Sequence, residues 1–195
     1  MGEAPPRNFI LCGHAETALN QRGDILKRLR MGENDYERLK QLEDAFEKKD
    51  LAFFKTFLDN SKELPLLLRV HSVCMLEHIG NERMIEPLCQ VLRQDESPLT
   101  RHEAAFTLGQ LGYRAAVPAL VHAMLHDKSP IVRHESAVAL SSIGDDSIIP
   151  QLQKAIEDTD EDVRNSALIA FEYLTYLKQK KGPETQNLTK PKIRL

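Results

Sequence analysis

Four arginines, Arg69, Arg101, Arg133 and Arg164, recur at intervals of 32, 32 and 31 residues, and this period constrains the chain more than any other feature. Each follows an acid by six positions: Glu63, Asp95, Asp127 and Asp158. Each opens a run of small and apolar residues. Gly80, Gly112 and Gly144 stop the first three runs, as glycine does just past the C-terminal end of a helix. A shorter apolar run follows, as in Pro118-Ala119-Leu120-Val121 and Pro150-Gln151-Leu152. The unit is helix, turn, helix. One such unit cannot bury its apolar stripe alone, so neighbours must stack, and the fold class expected is all-α: a right-handed α-solenoid of helical hairpins. The Asp-x5-Arg spacing predicts a ladder of ion pairs between units. An exposed rung contributes only about 0 to 1 kcal/mol, so its role is to set the stacking geometry.

Upstream of the regular units, residues 7–30 predict a helix ending at Gly32, with Ala15, Leu19, Leu26 and Leu29 on one side. Asn34 with Glu37 makes a capping-box-like start for a second helix, whose apolar face is Tyr36, Leu39, Leu42 and Phe46. Leu51, Phe53, Phe54, Phe57 and Leu58 predict a third. The second and third helices read as a degenerate first repeat, with the helix before them as an N-terminal cap. Residues 1–60 are therefore expected to form an N-terminal helical extension, 61–177 the repeats, and 178–195, with Gly182, Pro183 and Pro191, a basic disordered tail.

The net charge is −3, but residues 178–195 carry six basic side chains against Glu184, so that tail is +5 and the rest of the chain −8. An acidic body is a poor binder of phosphate backbones, which excludes nucleic acid as the expected partner. No stretch approaches the roughly 20 apolar residues of a membrane span, and Phe9-Ile10-Leu11-Cys12 is too short for a secretory signal core. No membrane association is expected, and the expected compartment is the cytoplasm. Cys12, Cys74 and Cys89 are odd in number and widely spaced, which fits reduced structural thiols rather than disulfides or a cysteine zinc site.

Two units carry something the stacking does not need. Directly after the ladder arginine stands a His-Glu pair: Arg101-His102-Glu103 and Arg133-His134-Glu135, where the other units have Val70-His71 and Asn165-Ser166. Stacked helices lie about 8 to 10 Å apart. Histidines at equivalent positions on adjacent helices can therefore pinch one metal ion at about 2.0 to 2.1 Å. Each glutamate is rotated by about 100° from its histidine and is expected to point elsewhere, toward a second ion. Two such halves facing each other would supply four histidines and up to four glutamates around two ions. That inventory suits a non-haem di-iron or di-manganese centre better than zinc.

The segments Thr100-Arg101-His102-Glu103-Ala104-Ala105-Phe106-Thr107-Leu108-Gly109-Gln110-Leu111 and Val132-Arg133-His134-Glu135-Ser136-Ala137-Val138-Ala139-Leu140-Ser141-Ser142-Ile143-Gly144 closely resemble the His-Glu repeats of deoxyhypusine hydroxylase. That enzyme is a HEAT-like repeat protein, and its repeats are similar to those of bilin lyases. The resemblance covers about residues 62–177. It implies HEAT-like hairpins and a di-iron monooxygenase that hydroxylates an amine-bearing side chain of a protein, with iron as metal, one ion per chain and two per dimer, and dioxygen as co-substrate. It further implies that His102 and His134 ligate one ion and that Glu103 is donated across to the other half. Glu135 matches the motif as well, and either reaches metal or holds a ligand or a basic substrate. The family encloses four His-Glu pairs in one chain of two similar halves, whereas this sequence has one half. A homodimer that rebuilds the site by two-fold symmetry is the expected resolution.

In this reading Glu103 and Glu135 also form an acidic rim that attracts a cationic substrate. Two other classes remain open: a non-catalytic HEAT-repeat adaptor for protein partners, and a bilin-lyase-like chaperone. His71 sits one position late relative to His102 and lacks a following glutamate. His78, His122 and His126 fall where surface or capping roles are common, and His14 is expected to pack in the cap.

Overall fold

The computed structural model describes residues 32–180; the helix predicted over 7–30, with Cys12 and His14, and the chain beyond Lys180 lie outside them. The described residues are helical throughout: α1 (Glu33–Glu47), α2 (Leu51–Asp59), α3 (Leu66–Ile79), α4 (Ile85–Gln94), α5 (Pro98–Leu111), α6 (Val117–His126), α7 (Pro130–Ile143), α8 (Ile149–Ala155) and α9 (Glu161–Lys180). The helix, turn, helix unit is therefore present three times in full, as α3/α4, α5/α6 and α7/α8, with α1/α2 before and α9 after. No helix among the described residues is long and apolar enough to cross a membrane.

The helix ends follow from the punctuation. Gly80, Gly112 and Gly144 adopt φ of +66°, +70° and +74°, and the N–H of each closes on the carbonyl four residues back, at Leu76, Leu108 and Leu140. A side chain at that φ would be strained, which is why glycine stands at all three stops. Pro98 and Pro130 open α5 and α7, and Pro118 and Pro150 sit in the first turns of α6 and α8, where a missing N–H costs nothing. One predicted start moves. Helix α1 begins at Glu33 rather than at an Asn34 cap, because the Asp35 carboxylate reaches back to accept the Gly32 N–H at 2.9 Å and does the work assigned to Glu37. At the other end, α9 continues through Lys178 to Lys180, three residues into the stretch expected to be a disordered tail.

First helices (α3, α5, α7, α9) pack on one another in series, and second helices (α4, α6, α8) form a second row against them, so one apolar core runs from Leu42 and Phe54 through Leu76, Leu108 and Leu140 to Leu174. The ladder is bidentate. Arg101 Nε and Nη2 donate to Asp127 Oδ2 and Oδ1 at 2.7 and 2.8 Å, and Arg133 does the same to Asp158 at 2.7 and 2.9 Å. The third nitrogen, Nη1, donates to the carbonyl of the unit's own acid: Arg101 to Asp95 at 2.8 Å and Arg133 to Asp127 at 2.9 Å. Each arginine thus clamps its own turn to the next. The Arg133 hydrogen bonds hold the Asp158 carboxyl below its usual range. Asp95 is the contrast: burial pushes its pKa up, and Arg69 Nε stands back at 3.5 Å. Paired, charge-assisted and shielded from solvent, the two bidentate rungs are stronger than an ordinary surface pair.

Candidate metal centre

Helices α5 and α7 approach closely because small residues line their contact. A Cβ built on Gly109 would stand 2.7 Å from Ala139 Cα. His102 lies seven residues before Gly109, on the same face of α5, and so meets α7 at short range. Its Nε2 is 3.3 Å from Glu135 Oε2, and its Nδ1 is 3.5 Å from Glu103 Oε1. The three residues His102, Glu103 and Glu135 are 2%, 1% and 3% exposed. The histidine of one unit therefore faces the glutamate of the next, with its own glutamate on the other side of the ring.

Two expectations change here. Glu103 does not point away from His102: a flexible carboxylate arm spans the 100° between neighbouring positions. Nor do Glu103 and Glu135 form an exposed acidic rim, because helix stacking seals both inside the contact between first helices.

Burial alone would depress the His102 pKa, but hydrogen bonds and charge from Glu103 and Glu135 outweigh it and raise it to about 9. The His102 ring thus lies between two acidic side chains in a buried site. One imidazole and two carboxyl groups brought together offer nitrogen and oxygen donors to a cation. Hard carboxylates with imidazole fit iron or manganese. Among the described residues, no group of three or more His, Cys, Asp and Glu side chains is arranged to hold a metal ion. The donor chemistry fits, and one chain does not complete the coordination.

His134 is half-buried and lies apart from this cluster. Its Nδ1 is 2.6 Å from Ser166 Oγ on α9, and the same hydroxyl donates to the Asp162 carbonyl at 2.8 Å. A serine hydroxyl has one proton. With that proton on Asp162, Ser166 accepts from His134, which assigns the neutral ring's proton to Nδ1 and makes Nε2 the basic nitrogen. Sequence reasoning missed Ser166, although the signal was present: Ser166 occupies in its unit the position of Glu103 and Glu135. It also missed Cys74, half-buried on α3, whose thiol donates to Glu103 Oε2 at 3.5 Å. Cys74 has no periodic signal, since Phe106 and Val138 stand at its equivalents. Cys89 is a buried core thiol as expected.

His71 is partly buried, which lowers its pKa. His78 packs edge-on against Phe46, and His122 and His126 form an edge-on pair on α6.

The stacked hairpins, the clamped turns and the apolar core define a HEAT-like repeat protein, and residues 85–172 match the family model for HEAT repeats. The chain resembles part of deoxyhypusine hydroxylase. It is 41% identical over 58 residues to deoxyhypusine hydroxylase of Dictyostelium discoideum, a match covering 30% of this chain and 18% of that protein. It superposes on human deoxyhypusine hydroxylase, solved in complex with glycerol, with a TM-score of 0.61 and 27% identity, covering 76% of this chain and 51% of that one. The chain thus spans about half the length of the solved hydroxylase it matches. The CpcE–CpcF complex of phycocyanin lyase from Nostoc shares the fold at 19% identity, with a TM-score of 0.52 over 90% of this chain and 70% of that one.

Proposed function

We propose that the chain is a non-haem di-iron protein of the deoxyhypusine hydroxylase type, a dioxygen-activating monooxygenase whose site is completed by a second copy of the chain. The observation that carries this reading is the convergence of His102, Glu103 and Glu135, all buried, at the contact between α5 and α7. Its support from outside is the resemblance to deoxyhypusine hydroxylase over the same helices. His102, Glu103 and Glu135 would hold the metal, one ion per chain, and His134, which lies apart from them, would ligate only together with donors of the second copy. Bound iron would supply the capacity to activate dioxygen. The substrate class is a cationic, amine-bearing side chain on a protein.

The chain's own residues have definable roles. Glu135 and Glu103 bracket His102 and hold its proton in the metal-free chain; that proton must leave before the ring can ligate. Ser166 orients His134 and keeps its proton on Nδ1, so that Nε2 can serve as donor. The close helix contact at Gly109 excludes water from the carboxylates, which strengthens their hold on a cation. The Cys74 thiol steadies the second oxygen of Glu103.

Elemental analysis of protein loaded anaerobically with ferrous iron tests this. About one iron per chain is expected in the wild type and none in His102→Ala, whereas Ser166→Ala keeps the ligands and should bind iron about 10- to 100-fold more weakly, the usual effect of losing a partner that orients a ligand. Wild-type protein that takes up no metal would overturn the hydroxylase reading and leave the solenoid as an adaptor.

A further inference from the structure

Helix α6 carries two histidines that neither the stacking nor the His102 cluster uses. His122 and His126 are both exposed and stand four residues apart, on one face of the helix. Their ring centroids are 5.1 Å apart and the ring planes meet at 61°. They occupy the fifth and first positions before the ladder acid Asp127. The same positions before Asp95 hold Gln90 and Gln94, and before Asp158 they hold Gln153 and Glu157, all exposed. The repeat therefore asks only for polar side chains here, and two imidazoles on one turn are an addition to it. An open groove of about 650 Å³, lined by α4, α6 and the turns that follow them, reaches both rings.

We propose that His122 and His126 form a binding site for a divalent transition-metal ion of the zinc and copper class, separate from the buried centre. Imidazole nitrogens ligate such ions at about 2.0 to 2.1 Å, and two rings on one tetrahedral ion then have centroids about 5 Å apart. That is the spacing α6 already sets. Exposed side chains change rotamer within nanoseconds, so both rings can turn a nitrogen toward one ion while the backbone stays in place. His126 is the last residue of α6, where the free carbonyls of the final turn favour a cation. The arginines of the groove do not oppose it: Arg93 is held by Glu86 at 3.2 Å and Arg101 by Asp127 at 2.7 Å. Glu96 and Lys128 add one charge of each sign. Among the described residues no third His, Cys, Asp or Glu joins the pair to make a cage. Water fills the other positions, and the ion stays open to an incoming ligand from the groove. An all-imidazole pair suits zinc, copper or nickel, in contrast to the carboxylate-rich cluster between α5 and α7.

Calorimetric titration of the full chain with zinc alone, and then with copper alone, tests the pair. Glutamine stands at equivalent positions of the repeat, so His122→Gln and His126→Gln should fold like the wild type, with unchanged far-ultraviolet circular dichroism. One zinc ion per chain is expected at this site, and copper should bind there more tightly than zinc. Losing a ligand costs at least as much as losing the partner that orients one, so either substitution should weaken this binding by about 10- to 100-fold. His102→Ala should leave it in place, because that cluster lies between first helices and the pair lies in the second row. Zinc binding that is the same in the wild type and both glutamine variants, or that disappears in His102→Ala as well, overturns the proposal.

Discussion

The metal-free chain is expected to lose about 3 kcal/mol of stability as pH rises from about 6.5 to about 9, through deprotonation of His102. The His102 pKa is raised on folding, so the folded chain holds this proton more tightly than the unfolded one. The contribution is complete below the unfolded value of 6.5 and is lost as pH climbs through about 9. Burial opposes this shift, and the two carboxylates at 3.3 and 3.5 Å outweigh it. Thermal unfolding followed by circular dichroism should show the midpoint falling by roughly 10 °C across this window. His102→Gln should abolish that fall; a wild-type midpoint that stays flat between the two pH values would refute the buried imidazolium. Cys89, whose thiol burial pushes up to about 11, adds a loss of the same sign only above the ordinary thiol range. Metal uptake should run the other way. Because iron must displace the His102 proton, apparent affinity rises with pH toward about 9, and each ion bound releases protons that a weakly buffered titration can count.

Gly109→Ala is the second large effect, and two influences oppose each other there. In an ordinary helix interior this change stabilises by about 1 kcal/mol, since glycine is the poorer helix former. Here the new methyl would stand 2.7 Å from Ala139 Cα and 2.8 Å from its Cβ. Backbone cannot swing aside as a long side chain can, so α5 and α7 must separate, and overpacking of this kind typically costs 1 to about 3 kcal/mol. The clash wins, and a net destabilisation of about 1 to 2 kcal/mol is expected in urea unfolding. Separation also draws His102 away from Glu135, so the pH dependence above should shrink in the same variant. A Gly109→Ala chain more stable than the wild type would show that the helices are not held together at this point.

Much of the fold was legible because its signals are local. The three glycine stops depend on backbone conformation at single positions, and they and the 32-residue period stand where the sequence placed them. The ladder was legible for a related reason: an acid and an arginine repeated at fixed spacing must meet at fixed offsets once the units stack. The His-Glu pairs were visible as departures from what stacking needs. The start of α1 was less so, because Asp35 and Glu37 both stand within reach of a plausible cap, and only the path of the chain selects between them.

What the sequence determined by itself is equivalence: which residues occupy the same place in successive units. The tertiary structure decided adjacency. Packing density at Gly109 and Ala139 sets how near α5 comes to α7, and that distance puts His102 against Glu135 rather than beside His134. The same contact buries Glu103 and Glu135, turns His134 toward Ser166, and brings Cys74 to Glu103 from the unit before. A period states which positions recur, but the rise and rotation from one helix to the next come from how side chains of unequal size interlock, and that is a property of the packed stack alone.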